Sequence, residues 1–206
     1  MTVWYVARAG GILAYALLTA SVMLGLLLSG KAKLPGWPRF AVEDVHRFVG
    51  LLAGTFIAIH VGALLVDSYV PFSLANVLIP GSDSYRPVSV AFGIVAAEFL
   101  VALAVTNHYP KALSYRLWRR AHYLNFAVWL FALVHGIAAG TDRGTVWALA
   151  LYIGTASVVA GLTASRFADT LTAWGRFVTR SREGWPEASG LRLQPSSRPA
   201  ARRRDP

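Results

Sequence analysis

The sequence predicts an all-α integral membrane protein: a bundle of five transmembrane helices, with the N-terminus outside and the C-terminus inside. The chain has 206 residues, of which 55% are hydrophobic and only 15% are charged. Five apolar runs reach the roughly 20 residues that cross a bilayer core. Lipid offers no hydrogen-bond partner to an exposed peptide group, so each run is expected to be helical.

The five runs are punctuated by glycine and proline, which mark the ends of membrane segments. In chain order they are Ala9–Gly30, Phe48–Val66, Pro87–Pro110, Ala121–Thr141 and Gly144–Ser165. Four of them contain no Asp, Glu, Lys or Arg, and Glu98 is the one such residue in the third. A carboxyl at this depth suits proton uptake or a quinone site, and equally a neutral, hydrogen-bonded side chain.

The orientation follows from the positions of the basic residues. Three of the 20 lysines and arginines, Arg8, Arg86 and Arg143, lie at the N-terminus and in the second and fourth connections. The other 17 lie in the first and third connections and after the fifth helix, which the positive-inside rule places in the cytoplasm. The net charge of +10 therefore indicates membrane orientation and does not indicate nucleic-acid binding. A multi-pass protein of the plasma (inner) membrane is predicted.

The chain contains no cysteine. This excludes disulfides, iron–sulfur ligation, a thiolate zinc site and heme attached through thioether bonds. The first apolar run is too long for a cleaved leader, and we expect it to be retained.

Two of the predicted helices carry two histidines each, and an imidazole in a membrane segment calls for a reason. His46 and His60 lie on the second helix, and His122 and His135 on the fourth. Both helices run from inside to outside in the predicted orientation. The first pair, His46 and His122, then lies at the inner end, and the second pair, His60 and His135, roughly 20 Å further out at 1.5 Å per residue.

Neutral imidazole is a common axial ligand of heme iron, and an iron with two axial histidines carries electrons rather than binding substrate. His46 and His60 are 14 residues apart, within about 40° of a whole number of turns, with Gly50 and Gly54 near that face to leave room for a porphyrin. His122 and His135 are 13 residues apart and about 140° off. A π-bulge, local overwinding or a different ring approach is needed there. The alternatives are packing histidines or a proton path.

These residues resemble the ferric reductase-like transmembrane domain superfamily. The local sequences Asp44-Val-His46-Arg and Leu117-Trp-Arg-Arg-Ala-His122 fit it, as does Arg86-Pro-x5-Gly93-Ile. The resemblance covers about residues 3–167. The superfamily includes NADPH oxidases, ferric reductases and the heme-bearing membrane subunit of the periplasmic methionine sulfoxide reductase system. It implies that the four histidines ligate two b hemes and that the chain is the membrane subunit of an oxidoreductase.

The chain departs from the longer members because no glycine-rich nucleotide loop follows the fifth helix. The expected electron donor is therefore a separate cytosolic flavin reductase or a quinol, so that flavin or quinone enters only through a partner. The expected acceptor is extracytoplasmic. Two alternatives stay open: a heme-free proton-conducting channel or transporter, and a structural membrane subunit.

Arginines near the histidines are candidate partners for the anionic heme propionates. Arg47 and Arg119, with Arg120, are placed for the inner heme, and Arg8 and Arg86 for the outer one. Snorkelling and topology marking are the competing explanation for each of them. His108 is interpreted as an interfacial histidine.

Three segments are predicted: a membrane domain at 1–167, an amphipathic interfacial helix at 168–182 and a disordered basic tail at 183–206. The interfacial helix rests on the spacing of Phe167, Leu171, Trp174 and Val178. The long second connection, Ser68 to Arg86, is either a lid over the outer face or a segment that seals the helix ends.

Overall fold

A computed structural model shows seven α-helices and no strand within residues 2–30, 35–68, 72–83, 85–109 and 113–182, the part of the chain that it describes. In chain order the helices are α1 (Thr2–Ser29), α2 (Arg39–Val66), α3 (Leu74–Leu78), α4 (Pro87–His108), α5 (Tyr115–His122), α6 (Leu124–Ala139) and α7 (Val146–Arg182).

The prediction of five membrane-spanning helices is confirmed. The candidate spans are Thr2–Ser29, Arg39–Val66, Pro87–His108, Tyr115–Ala139 and Val146–Trp174, with α5 and α6 together forming the fourth. Several helices extend beyond the apolar runs, most clearly α2, which begins nine residues before Phe48. Charged residues mark where a helix leaves the hydrocarbon layer, not where its hydrogen bonding ends. The orientation of the termini stays a prediction.

Helix α1 is the central element of the bundle. Four of its side chains, Tyr15, Leu18, Val22 and Leu26, belong to a buried cluster that also takes residues from α2, α4, α6 and α7. Small residues let helices approach closely in a membrane. At Gly10 of α1, an added Cβ would lie 3.4 Å from the backbone nitrogen of His60. This close contact brings the second predicted histidine of α2 against α1.

A tight turn at Tyr123 separates α5 from α6. The Tyr123 N–H donates to the Arg120 carbonyl at 3.2 Å, and the Phe126 N–H donates to the Tyr123 carbonyl at 3.1 Å. Both bonds span three residues, as in a 3₁₀ turn, which rotates about 120° per residue instead of 100°. This local overwinding, one of the three possibilities set out above, reduces the angular mismatch between His122 and His135.

The second connection contains the short helix α3, which begins at a reciprocal cap. The Asn76 N–H donates to Ser73 Oγ at 3.2 Å, and the Ser73 N–H donates to Asn76 Oδ1 at 3.0 Å. Leu74 and Leu78 are exposed. A capped helix with exposed apolar side chains is compatible with both interpretations of this segment, a lid over the outer face and a segment that seals the helix ends.

The described residues divide into two units, one that ends at Arg166 and one that begins at Phe167. The four histidines all belong to the first. In the second, Phe167, Leu171 and Trp174 are exposed on α7. The side chain of Val178 and the tail at 183–206 lie outside the described residues, so the interfacial helix and disordered tail stay predictions.

Candidate functional site

The four membrane histidines meet as two facing pairs. In the first pair, the ring centroids of His46 on α2 and His122 at the end of α5 are 6.2 Å apart, with an angle of 69° between the ring planes. In the second pair, the centroids of His60 on α2 and His135 on α6 are 6.3 Å apart, at 74°. The structure thus brings together the same partners that the predicted depths matched.

Three of the four rings are held by main-chain carbonyls of a neighbouring helix. The Nδ1 atom of His60 lies 2.6 Å from the Ala7 carbonyl on α1, and that of His135 lies 2.8 Å from the Ser89 carbonyl on α4. His46 Nδ1 lies 3.0 Å from the Ser21 carbonyl. A carbonyl can only accept, so each of these rings carries its proton on Nδ1 and keeps the Nε2 lone pair for a ligand bond.

Glycines allow these rings to approach the adjacent helices. A Cβ on Gly93 of α4 would lie 2.7 Å from His135 Nδ1, and one on Gly11 of α1 would lie 3.0 Å from His60 Nδ1. Between the pairs, a Cβ on Gly54 would have no neighbour within 4 Å, whereas one on Gly50 would lie 3.6 Å from Ser21 Oγ. Close helix packing around the histidines therefore coexists with open space beside Gly54.

The spacing of each pair suits one iron between two imidazoles. A first-row metal holds an imidazole nitrogen at about 2.0–2.1 Å, and the ring centroid lies about 1.1 Å behind that nitrogen, which puts two opposed rings roughly 6.2–6.4 Å apart. The observed 6.2 Å and 6.3 Å fall in this range. Direct hydrogen bonding between the rings would bring them closer. The donor set fits two bis-histidine hemes.

A family model for the ferric reductase like transmembrane component matches residues 10–138, more than half of the chain. The chain belongs to this family. No significant match was found among curated proteins or among solved structures. Membership indicates transmembrane electron transfer as the general activity, in a multi-pass membrane protein. The matched region contains all four histidines, so they lie within the family's transmembrane domain.

Two of the predicted arginines are anchored near the second pair. Arg8 follows Ala7, the carbonyl partner of His60, and forms a partly buried ion pair with Asp142. Arg86 donates from Nη1 to the Ala138 carbonyl at 2.7 Å, three residues after His135. Both side chains thus tie loops or helix ends together at this end of the ferric reductase-like domain.

The other three predicted arginines lie at the surface. Arg47 is exposed and its Nη1 is 4.0 Å from Asp44 Oδ1 on the same helix, while Arg119 is exposed on α5. Arg120 is exposed as well. Their assignment to propionates of a heme at the first pair stays a prediction.

A buried polar chain lies between the levels of the two pairs. Trp129 of α6 donates from Nε1 to Thr19 Oγ1 at 3.0 Å, and Thr19 donates to the Tyr15 carbonyl at 2.9 Å. The Tyr15 hydroxyl and Thr155 Oγ1 are 2.7 Å apart. These bonds join α1 to α6 and α7 and fix the indole in the core of the family's transmembrane domain.

Glu98 and His108 are both exposed on α4. The side chain of Glu98 therefore projects from the bundle. His108 stacks edge-on against Tyr109, with ring centroids 4.7 Å apart, and belongs to neither histidine pair.

Sequence reasoning missed three side chains around the site: Asp142, Trp118 and Asn125. A signal existed for Asp142, because it is an acid in a connection that the charge count placed on the same side as Arg8. Trp118 and Asn125 lie four residues before and three residues after His122, so helical spacing could have drawn attention to them.

Proposed function

We propose that this protein carries electrons across the plasma (inner) membrane through two b-type hemes, held by His46 with His122 and by His60 with His135. The observation that carries the proposal is the spacing of the two histidine pairs: in each, the two imidazole rings are as far apart as two rings that bind one metal ion. Heme, when bound, supplies a one-electron couple at each level.

The protein's own groups would orient and insulate these two sites. Carbonyls of Ser21, Ala7 and Ser89 hold three rings with Nε2 free for iron. With two histidines held for each heme, neither site would offer the iron a free position for oxygen or substrate. Arg8 and Arg86 would provide positive charge near the second pair.

The direction follows from the predicted orientation. A cytosolic flavin reductase or a quinol would deliver electrons at the first pair, and an extracytoplasmic acceptor would receive them at the second. When an electron moves outward across a membrane that is negative inside, its free energy falls by about 2.3 kcal/mol per 100 mV. The protein would be the membrane subunit of an oxidoreductase. A proton path is less well supported, because three ring protons are committed to carbonyl acceptors.

The test is electron transfer across a sealed membrane. Purified protein is reconstituted into liposomes that contain ferricyanide, and NADH with a flavin reductase and flavin, or a quinol, is added outside. We expect loss of ferricyanide absorbance that requires the protein and disappears in His60→Ala. Equal loss in protein-free liposomes and in liposomes with wild-type protein would contradict the proposal.

A further inference from the structure

His122 differs from the other three membrane histidines in how its ring is held. Among the described hydrogen bonds, no carbonyl of a neighbouring helix contacts its Nδ1 atom; the partner found there is Asn125 Nδ2, at 3.4 Å. The same amide nitrogen donates to the His122 carbonyl at 2.8 Å, which fixes its orientation. An amide nitrogen cannot accept a hydrogen bond, so a proton on His122 Nδ1 finds no acceptor there.

The His122 ring also stacks against Trp118. The indole lies 5.4 Å from the imidazole, centroid to centroid, at an angle of 25°, which is a stacked arrangement. Trp118 is itself fixed, because its Nε1–H donates to Asn107 Oδ1 on α4 at 2.9 Å. Thus His122 is oriented by residues next to it in the chain, one of which is tied to α4.

We propose that Trp118 and Asn125 are positioning residues for His122 and set the reduction potential of the heme at the first pair. This inference rests on the proposed function. A ligating imidazole that donates its Nδ1–H to a carbonyl becomes a stronger electron donor to the metal. Such a ligand favours the ferric state. His122 lacks this bond, so it stabilises ferric iron less than His46 does.

The main test replaces the amide with a group that can accept. Asn125→Asp removes the bond that Asn125 Nδ2 donates to the His122 carbonyl, so the carboxylate turns away from that carbonyl and can accept from His122 Nδ1. An acid is favourable at this place because Asn125 is the second residue of α6. In a spectroelectrochemical titration of the purified two-heme protein, we expect one of the two hemes to become about tenfold harder to reduce, a shift of 59 mV for one electron. The other heme should change less than threefold.

Asn107→Asp is the matched control. It adds the same charge on α4 and keeps the oxygen that accepts from Trp118, but it leaves the Asn125–His122 contacts intact. We expect less than a threefold change for either heme. A shift as large as that of Asn125→Asp would show a general charge effect and overturn the proposal, as would an Asn125→Asp protein with unchanged potentials.

The affected heme is identified in the His60→Ala background, where the remaining heme should show the same shift; absence of the shift there would overturn the assignment.

If the Asn125→Asp protein loses heme, the variants Trp118→Leu and Trp118→Phe test the proposal instead. Trp118→Leu should shift the low-field electron paramagnetic resonance signal of one ferric heme, and Trp118→Phe, which keeps a flat ring, should shift it less. Identical spectra for wild type and both variants would overturn the proposal. A wild-type protein without heme would instead contradict the proposed function.

Discussion

The two histidine pairs are alike in spacing and unlike in their support. Both rings of the second pair are bound to carbonyls of α1 and α4, and glycines on those helices let the rings come close. In the first pair, only His46 is held in this way. Nearly equal ring spacings are thus built in two ways, by interhelical bonds at the second pair and partly by residues next to His122 in the chain at the first.

The largest expected effect comes from removing a ligand from either pair. His60→Ala should lose the heme of the second pair and keep that of the first, and His46→Ala should do the reverse, because each iron needs its own two imidazoles. Heme content per chain and reduced visible spectra measure this. His108→Ala is the control and should keep both hemes. Two hemes in His60→Ala would contradict the pairing.

A smaller effect is expected from crowding the second pair. Gly93→Ala places a Cβ 2.7 Å from His135 Nδ1 and 2.9 Å from Cγ, so the ring must move away from the Ser89 carbonyl. Overpacking of this kind costs about 1–3 kcal/mol. Reduced occupancy of one heme and a lower thermal transition in detergent are the expected results.

Gly25→Ala is the corresponding change at the first pair, where the added Cβ would lie 3.4 Å from His46 Cε1. This is close to ordinary contact, and we expect both hemes to be retained. If Gly25→Ala lost as much heme as Gly93→Ala, the second pair would not be the more tightly packed of the two.

The smallest expected effect is a difference in coupling energy between two ion pairs. Arg8 and Asp142 are partly buried near the second pair, with side-chain exposures of 35% and 16%, whereas Arg47 and Asp44 are 77% and 71% exposed. Double-mutant cycles to Ala, measured by unfolding in mixed detergent micelles, should give a coupling of about 1–3 kcal/mol for the first and about 0–0.5 kcal/mol for the second. Equal couplings would show that burial does not distinguish them.

Much of the fold could be predicted from the sequence, because lipid imposes a strong constraint on composition. Apolar runs with at most one charged residue located all five spans, and the shared face of His46 and His60 followed from helical spacing. The family resemblance, drawn from the same residues, is confirmed by the match over residues 10–138.

The support of the site was harder to predict. The acceptors for His46, His60 and His135 are carbonyls of Ser21, Ala7 and Ser89. Every residue has a backbone carbonyl, so the amino-acid sequence does not show which one accepts a hydrogen bond. The overwound turn at Tyr123 likewise contains no glycine or proline from which it could have been predicted. The ion pair of Arg8 with Asp142 joins residues 134 positions apart, which only the three-dimensional packing of the helices brings together.

The most direct test of the two-heme proposal is the heme content of the purified protein. The protein is expressed with an ample supply of porphyrin precursor, purified in detergent and assayed for heme by the pyridine hemochrome method against protein concentration. We expect about two b hemes per chain and a reduced spectrum with a low-spin α band. A colourless protein without iron would contradict the proposal.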